Sequence, residues 1–464
     1  MVGVRTLNFE GGKRGVAQRR GWPLHEPLNA ARRGLAIALV LFPILAALLL
    51  FPVISSSQES QPAVPAVAPT QESAPGVEEL VAESLQRSPT IEALAERLQA
   101  AREMVSPAGA MPDPSLELFV QAMGIPNLQP SSTATLEYRQ DLPYPGKRKA
   151  RREAAEASAA VRAMELEAAR RTVAEQVRSL YGRIYALDQE RTALDAAADL
   201  MALLQSTVSS RYSSGGASQE EVLKAQLESS RISERLADLE ADRSAMVAGL
   251  NRLLDRPGES GLGRTRTLPE VTWPDKPLEQ LALADSADVA SKRAAVEEAA
   301  RRVREAELDL RPDFSVGVGG GVDRMLEPVA MFRFGVGLPV WLSKKQRPLL
   351  HAAQRELDAA KEDLRDAEAF ARSQSASLVA RWKRDQGQIR KYRDAIIPQS
   401  NAALDAARYS YASGRGDFRS VIEDFNSWLE AMTQSARREA DRFVTWAEVQ
   451  TLVAPLPDDA GGRK

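Results

Sequence analysis

The chain has no cysteine and only two histidines, His25 and His351, in 464 residues. The absence of cysteine excludes disulfides, cysteine nucleophiles, zinc–cysteine sites and lipid attachment through an N-terminal cysteine. Two histidines leave little scope for histidine-based catalysis or metal clusters, and no nucleophile–base pattern stands out. We therefore expect no enzyme activity, no cofactor and no resident metal.

The chain also has no large excess of positive or negative charge. Charged residues make up 27% of the chain, yet the net charge is only −2. This balance argues against a nucleic-acid partner, which would require a strong basic excess. Aromatic residues reach only 5% against 44% hydrophobic residues, many of them alanine, a composition typical of long, closely packed helices.

Long apolar runs are absent except for Leu35–Ile54, which follows a basic N-terminal segment. Basic, apolar and then small residues predict a signal peptide over residues 1–57, removed near residues 55–60. Because roughly 20 apolar residues can span a bilayer, an uncleaved inner-membrane anchor is the alternative. Residues 58–75 are predicted to be a flexible lead-in and residues 455–464 a disordered tail.

The sequence repeats itself at a very long period. Residues 141–149 and 337–345 resemble each other and each precedes a long charged, alanine-rich stretch. Pro143 and Pro339 are 196 residues apart, Arg211 and Arg408 are 197 apart, and the Tyr-x-x-Gly turns ending at Gly215 and Gly414 match at 199. We therefore predict two repeats, 76–260 and 261–454, with a small insertion near the second turn.

Apolar residues recur at intervals of seven in these stretches. In the first repeat they are Val173, Leu180, Leu187, Leu194, Met201 and Val208. In the second they are Leu350, Leu357, Leu364, Ala371 and Leu378, followed in a shifted register by Trp382, Ile389 and Ile396. Heptads indicate coiled-coil packing, so each repeat should form an antiparallel helical hairpin that reverses at Gly215 or Gly414.

Two short segments with a period of two precede each hairpin. They lie near residues 116–120, 136–142, 314–318 and 332–338. This alternation predicts strands with one apolar face, and their length of roughly 9 to 10 residues suits a tilted membrane barrel. Further helices are expected near 76–105 and 277–310. The predicted repeat unit is therefore helix, strand, strand, long helix and return helix.

Four strands cannot close a membrane barrel, because an open sheet edge in lipid leaves backbone groups unpaired at several kcal/mol each. Several copies must then share one barrel, and a dimer, trimer or tetramer would supply 8, 12 or 16 strands. The predicted fold is mainly α with a small β part. It combines a long barrel of helical hairpins with four strands per chain in a shared membrane β-barrel.

The Leu-Pro-Tyr-Pro-Gly-Lys-Arg string at 142–148, the glycine turns and the Glu-Glu-Val-Leu-Lys-Ala-Gln string at 220–226 resemble the TolC family. The resemblance covers about 76–454. It implies a homotrimer with a 12-stranded barrel in the outer membrane, extending into the periplasm and working with a periplasmic adaptor and an inner-membrane pump. The 143–148 string is most similar to the heavy-metal efflux branch, whose pumps are of the resistance–nodulation–division (RND) type. Many members of that branch carry a lipidated cysteine, which this chain lacks.

The resemblance also suggests site residues. Family members carry acidic residues just after the second turn, where they form a ring that narrows the periplasmic mouth. Asp417, Glu423 and Asp424 lie there in this chain, and Glu423 matches a family position, whereas the second family acid falls on Ser420. A helix N-cap is the alternative for Asp417, and ordinary surface charge for the other two. The turns at Gly215 and Gly414 are expected to contact the adaptor.

Three functions are compatible with these features. The first is a passive outer-membrane exit duct of a tripartite efflux system that exports metal cations or small toxic compounds. The second is the duct of a type I protein secretion system. The third is a membrane-anchored coiled-coil scaffold without a pore, which has no need for strands placed symmetrically before its hairpins.

Overall fold

The computed structural model describes residues 75–121, 133–322 and 327–453. The predicted signal peptide, the lead-in apart from Pro75, and the predicted tail lie outside the described residues. The first repeat comprises α1 (Val77–Arg87), α2 (Pro89–Glu103), α3 (Val105–Gly109), β1 (Ser115–Gln121), β2 (Thr133–Leu142), α4 (Lys147–Ser213) and α5 (Gln219–Leu253). The second comprises α6 (Leu278–Asp285), α7 (Ala287–Leu308), β3 (Asp313–Val322), β4 (Pro328–Gly337), α8 (Arg347–Lys391), α9 (Ile397–Ala412) and α10 (Phe418–Val453).

In both repeats the elements follow in the order leading helices, strand, strand, long helix and return helix. Each leading helix is broken at a buried serine, Ser88 in the first repeat and Ser286 in the second. Both serines have extended backbone angles. At Ser88 the cause is Pro89, which disfavours the helical conformation of the preceding residue and starts the next helix.

Helix α4 has 67 residues and is about 100 Å long. It contains no proline and a single glycine, Gly182, so little interrupts its hydrogen-bond ladder. A Cβ at Gly182 would lie 3.0 Å from Phe443 Cδ1 of α10, so glycine permits this close helix contact. No helix among the described residues combines the length and the apolar character required to cross a bilayer.

The heptad interface of the second hairpin differs from the predicted one. Trp382 and Ile389 are buried as expected, but Ile396 is 39% exposed, and the buried positions continue at Leu404 and Tyr411. The cause is a π turn over Tyr392–Ile396, which inserts one residue into the helix and moves the apolar positions by one. Pro398 follows this turn and cannot donate a backbone hydrogen bond, which favours such a distortion.

A second π turn, Leu342–Gln346, precedes α8. The first long helix, in contrast, is a regular α-helix from Lys147 to Ser213. Because each π turn adds one residue, the two turns contribute to the growth of the repeat offset from 196 at Pro339 to 199 at Gly414. The insertion predicted near the second turn is therefore distributed along the helix.

The strands form one antiparallel sheet in the order β1-β2-β3-β4. The register pairs Leu118 with Leu136, Leu136 with Gly320, and Gly320 with Ala330. All the helices lie at one end of the sheet, which we call its helix-connected edge: β1 and β3 start there, after α3 and α7, and β2 and β4 end there, before α4 and α8. The backbone N–H of Tyr144 and the Nζ of Lys147 both bind Asp313 Oδ1, at 2.8 and 2.9 Å, and this fixes the start of α4 to the start of β3.

Residues 254–277 form an extended strap without helix or strand between the repeats. The strap packs on the first hairpin through the buried carboxylate of Asp188. Asp188 accepts hydrogen bonds from Arg243 Nε at 2.7 Å and from the backbone N–H of Thr265 at 2.9 Å. Farther along, the rings of Trp273 and Trp382 are in tilted contact, with centroids 4.9 Å apart. The strap thus contacts both hairpins.

Candidate functional site

One face of the sheet is apolar and exposed. Phe334, at 84% exposure, is the extreme case. The other large apolar side chains exposed on this face are Leu116, Leu118, Val120, Leu136, Tyr138, Phe314, Val318, Val322, Phe332 and Val336. A patch of this size needs a covering, and a face of alternate strand residues suits lipid.

The opposite face is mainly polar and rich in glycine. Glu137 is buried there beside Gly317 and forms an ion pair with Arg333 at 3.0 Å. A Cβ at Gly317 would overlap Glu137 Oε1, so glycine makes room for the carboxylate. Arg139 adds a weaker pair with Glu117 at 3.9 Å. An apolar face outside and a charged face inside is the arrangement of a water-filled membrane barrel.

The two hairpin turns have the same backbone. Gly215 and Gly414 both have φ +77°, a left-handed conformation that glycine adopts without strain. The N–H of each glycine donates to the carbonyl of the tyrosine three residues before it, at 3.0 Å in both turns. The predicted glycine turns are therefore present, and by this hydrogen bonding the counterpart of Arg211 is Ser410 rather than Arg408.

Side chains join the two turns within one chain. The guanidinium of Arg211 donates to the carbonyl of Tyr411 and lies over its ring, 4.3 Å from the centroid. The Tyr411 hydroxyl donates to Glu221 Oε2 of α5 at 2.7 Å, and its ring contacts that of Phe418 at 5.4 Å. Burial raises the pKa of Tyr411, and the bond to Glu221 raises it further. We call Arg211, Glu221, Tyr411 and Phe418 the tip cluster.

The three acidic residues proposed for the mouth have different surroundings. Asp417 accepts a hydrogen bond from the backbone N–H of Ser420 at 2.9 Å, so it caps α10. Hydrogen bonds from the Ser420 hydroxyl and N–H lower the pKa of Asp417. Glu423 is exposed and pairs with Arg419 at 2.7 Å. Asp424 is half-buried. All three lie at or within the first turns of α10, next to the second hairpin turn.

No group of three or more His, Asp or Glu side chains in the described part of the chain could hold a metal ion. His351 lies exposed near the start of α8.

The tip cluster was not predicted from the sequence. The match of Arg211-Tyr-Ser-Ser-Gly with Tyr411-Ala-Ser-Gly identified the turns, but not which tyrosine is buried. A signal does exist, because Tyr411 lies seven residues before Phe418 and seven after Leu404 in the corrected register. Glu221 also follows the first turn by six residues.

Solved structures with a similar fold include outer-membrane proteins and channels. The outer membrane protein VceC of Vibrio cholerae is 20% identical, over 81% of this chain and 95% of that one, with a TM-score of 0.69. The outer-membrane channel OprN is 16% identical over 81% and 89%, with a TM-score of 0.73. CusC is 15% identical over 86% and 98%, with a TM-score of 0.72.

A search of the curated proteins gives no match to this sequence. The family described as outer membrane efflux protein matches residues 80–256 and 278–454, which is most of the two repeats. The chain therefore belongs to the outer membrane efflux protein family, the TolC family that its sequence indicates, and is an efflux channel protein of the outer membrane that extends into the periplasm.

Proposed function

We propose that three copies of this chain close their sheets into one 12-stranded barrel and form a passive exit duct. The observation that carries this proposal is the sheet, in which β1 and β4 are edge strands and one whole face is exposed and apolar. In lipid, unpaired edge groups cost several kcal/mol each, so β1 of one copy must pair with β4 of the next.

The duct serves a tripartite efflux system with a periplasmic adaptor and an RND-type pump, and its cargo is metal cations or small toxic compounds. Support for the heavy-metal branch comes from the 143–148 string. In this structure the string sets the left-handed Gly146 and buries Lys147 against Asp313. The pump supplies the energy, and the duct contributes a path of suitable width and charge.

The mouth of the duct lies at the hairpin turns, where Gly215 and Gly414 contact the adaptor. In a trimer each acidic residue near the turn becomes a ring of three carboxylates, and such rings favour cations in a narrow pore. Glu423 is the best placed of the three, since it matches the family position and pairs only with Arg419 of its own helix, whereas Asp417 is engaged as an N-cap. Asp424 adds a second, half-buried ring.

Planar-bilayer recording of the full-length protein tests the duct and its mouth together. Wild type should conduct with a preference for cations and be blocked by divalent ions. In the double variant Glu423→Ala with Asp424→Ala both properties should weaken. Glu430→Ala is the control, because Glu430 is exposed on the same helix, about two turns farther from the hairpin turn. A protein that never conducts contradicts the duct, and a double variant that behaves like wild type contradicts only the mouth.

Complementation of cells that lack their own channel of this kind tests which compounds the duct exports. Expression with the cognate adaptor and pump should restore tolerance to metal cations. Restoration of protein secretion without metal or drug tolerance would instead support the type I secretion duct.

A further inference from the structure

Exposed apolar side chains continue past the end of β4. Leu338, Val340 and Trp341 are all exposed, and Trp341 presents 65% of its surface. They lie at the helix-connected edge of the sheet, because Gly337 at the end of β4 pairs with Asp313 at the start of β3. A tryptophan in this position is typical of a membrane–water interface, where the ring lies in lipid and the indole N–H meets water.

Three cations follow directly. Lys344, Lys345 and Arg347 are exposed, and none of them forms an ion pair with a residue in the described part of the chain. Two cations farther down α8 differ in this respect, since Lys361 pairs with Asp358 at 3.5 Å and Arg365 with Glu362 at 2.8 Å. Arg355, which lies between the two groups, is exposed and also forms no ion pair with the described residues. The segment just below the sheet thus carries three positive charges that the described residues do not compensate.

The first repeat provides an internal comparison. At the offset of 196, the counterparts of Lys344 and Lys345 are Arg148 and Lys149. Past the π turn over Leu342–Gln346 the offset is 197, so Arg347 corresponds to Ala150, next to Arg151. The cations of this segment in the first repeat are all engaged by the protein itself. Arg148 Nε donates to the Gly109 carbonyl at 2.9 Å, Lys149 pairs with Glu153 at 3.7 Å, and Arg151 pairs with Glu305 at 3.7 Å. In the first repeat these positions therefore stabilise the fold.

The acid that compensates Lys149 has no equivalent in the second repeat. Past the π turn Glu153 corresponds to Leu350, and the neighbouring Leu349 is exposed. The second repeat thus combines these cations with additional exposed apolar surface at the same level of the molecule. The apolar residues on the sheet side of the cations match a phospholipid, whose acyl chains lie on the membrane side of its phosphate.

We infer that Leu338, Val340, Trp341, Lys344, Lys345 and Arg347 form a lipid-binding collar. The cations bind the phosphate groups of anionic phospholipids in the leaflet on the helix side of the membrane, and the apolar residues contact the acyl chains. The collar rests on the sheet lying in the membrane, and it is independent of cargo, pump and adaptor. A cation near an anionic lipid surface contributes about 1 kcal/mol, or roughly fivefold in affinity.

Native mass spectrometry of the full-length assembly, extracted with equal amounts of phosphatidylglycerol and phosphatidylcholine, tests the collar. Wild type should retain phosphatidylglycerol in preference, by roughly fivefold for each lipid that binds one cation. The triple variant Lys344→Gln, Lys345→Gln and Arg347→Gln should lose most of this preference. The control is Lys361→Gln, Arg365→Gln and Arg372→Gln, which removes the same charge from the same helix, starting about 20 Å farther from the sheet. The control should keep the wild-type preference.

Two outcomes overturn the collar. One is a triple variant that retains phosphatidylglycerol as wild type does. The other is a triple variant that dissociates while wild type and control stay assembled, because the cations would then face a second copy of the chain. The conductance of the wild-type protein in the planar bilayer does not depend on either outcome, so the duct and the collar can be contradicted separately.

The tryptophan gives a second, independent measurement. In vesicles of phosphatidylglycerol with brominated acyl chains, part of the protein fluorescence should be quenched, and Trp341→Phe should remove the largest single quenched component. Equal quenching in wild type and Trp341→Phe would show that this side chain does not contact lipid.

Discussion

The two hairpin turns of this chain share one backbone geometry and differ in what their side chains do. Tyr212 and Tyr411 occupy the same position before a left-handed glycine, yet Tyr212 is 50% exposed and Tyr411 only 2%. Arg211 extends from the first turn to the second, and its counterpart Ser410 makes no such contact with the described residues. The two turns therefore have the same backbone, but only the second turn has a buried tyrosine, and only the first has an arginine that contacts the other turn.

This asymmetry has a physical origin in the helix before the second turn. The π turn at Tyr392–Ile396 advances the buried positions by one residue, and this places Leu404 and Tyr411 on the side that faces α4 and α5. In the first hairpin the unbroken helix α4 buries Leu204 and Val208 and leaves Tyr212 outside. A single inserted residue therefore decides which tyrosine enters the core.

The largest expected effect comes from truncating the buried tyrosine. Tyr411→Ala should cost about 3–5 kcal/mol in the local free energy of opening, because it leaves a cavity beside Phe418 and removes the ring under Arg211. Tyr212→Ala should stay within about 0.5 kcal/mol, since the side chain is exposed. Hydrogen exchange of the amides in α9 and the first turns of α10 measures both. An equal loss of local opening free energy in the two variants would contradict the proposed difference between the turns.

A smaller effect is expected when only the hydroxyl is removed. Tyr411→Phe should cost about 1.5–3 kcal/mol, because the lost hydrogen bond has a charged acceptor, Glu221. The folded pKa of Tyr411 is raised, so this stabilisation is fully present below about pH 10 and is lost as the pH rises through the folded pKa. Hydrogen exchange of wild type and Tyr411→Phe between about pH 6 and pH 9, below that limit, should give a constant difference. A difference that disappears within this range would mean that Glu221 and Tyr411 are not bonded.

The smallest effect should be the same in both turns. Gly215→Val and Gly414→Val should each cost about 1–2 kcal/mol, because a side chain is strained at φ +77°. A Cβ meets nothing within 4 Å at Gly215 and only Arg211 at 3.9 Å at Gly414, so sterics add little. Gly387→Ala, in the interior of α8 with open space around it, is the control and should be neutral or stabilising. Thermal unfolding compares the three variants, and a large difference between the two turns would show that their backbones are not equivalent in energy.

Periodicity in the sequence predicted the repeats, the strands, the hairpins and both glycine turns, because each of these leaves a repeating pattern. It did not predict the contacts between elements. The alternating pattern of β2 predicts that Glu137 faces solvent. Only the pairing of the strands shows that it lies beside Gly317 and Arg333. The heptad pattern predicts that Ile396 is buried. Pro398, two residues later, is a signal for the π turn that makes Ile396 exposed. The Arg211–Tyr411 contact joins residues 200 positions apart, and no local pattern records it.

Cross-linking between edge strands tests the shared barrel most directly. The chain has no cysteine, so Leu118→Cys on β1 and Phe332→Cys on β4 introduce the only two thiols, both on the apolar face. Within one chain these strands are separated by β2 and β3, about 14 Å in all, beyond the reach of a thiol cross-linker of about 8 Å. We expect outer-membrane preparations to give covalent dimers and trimers on a denaturing gel, and each single variant to give no trimer. A product that remains monomeric, or a series that continues beyond three chains, would contradict a barrel closed by three copies.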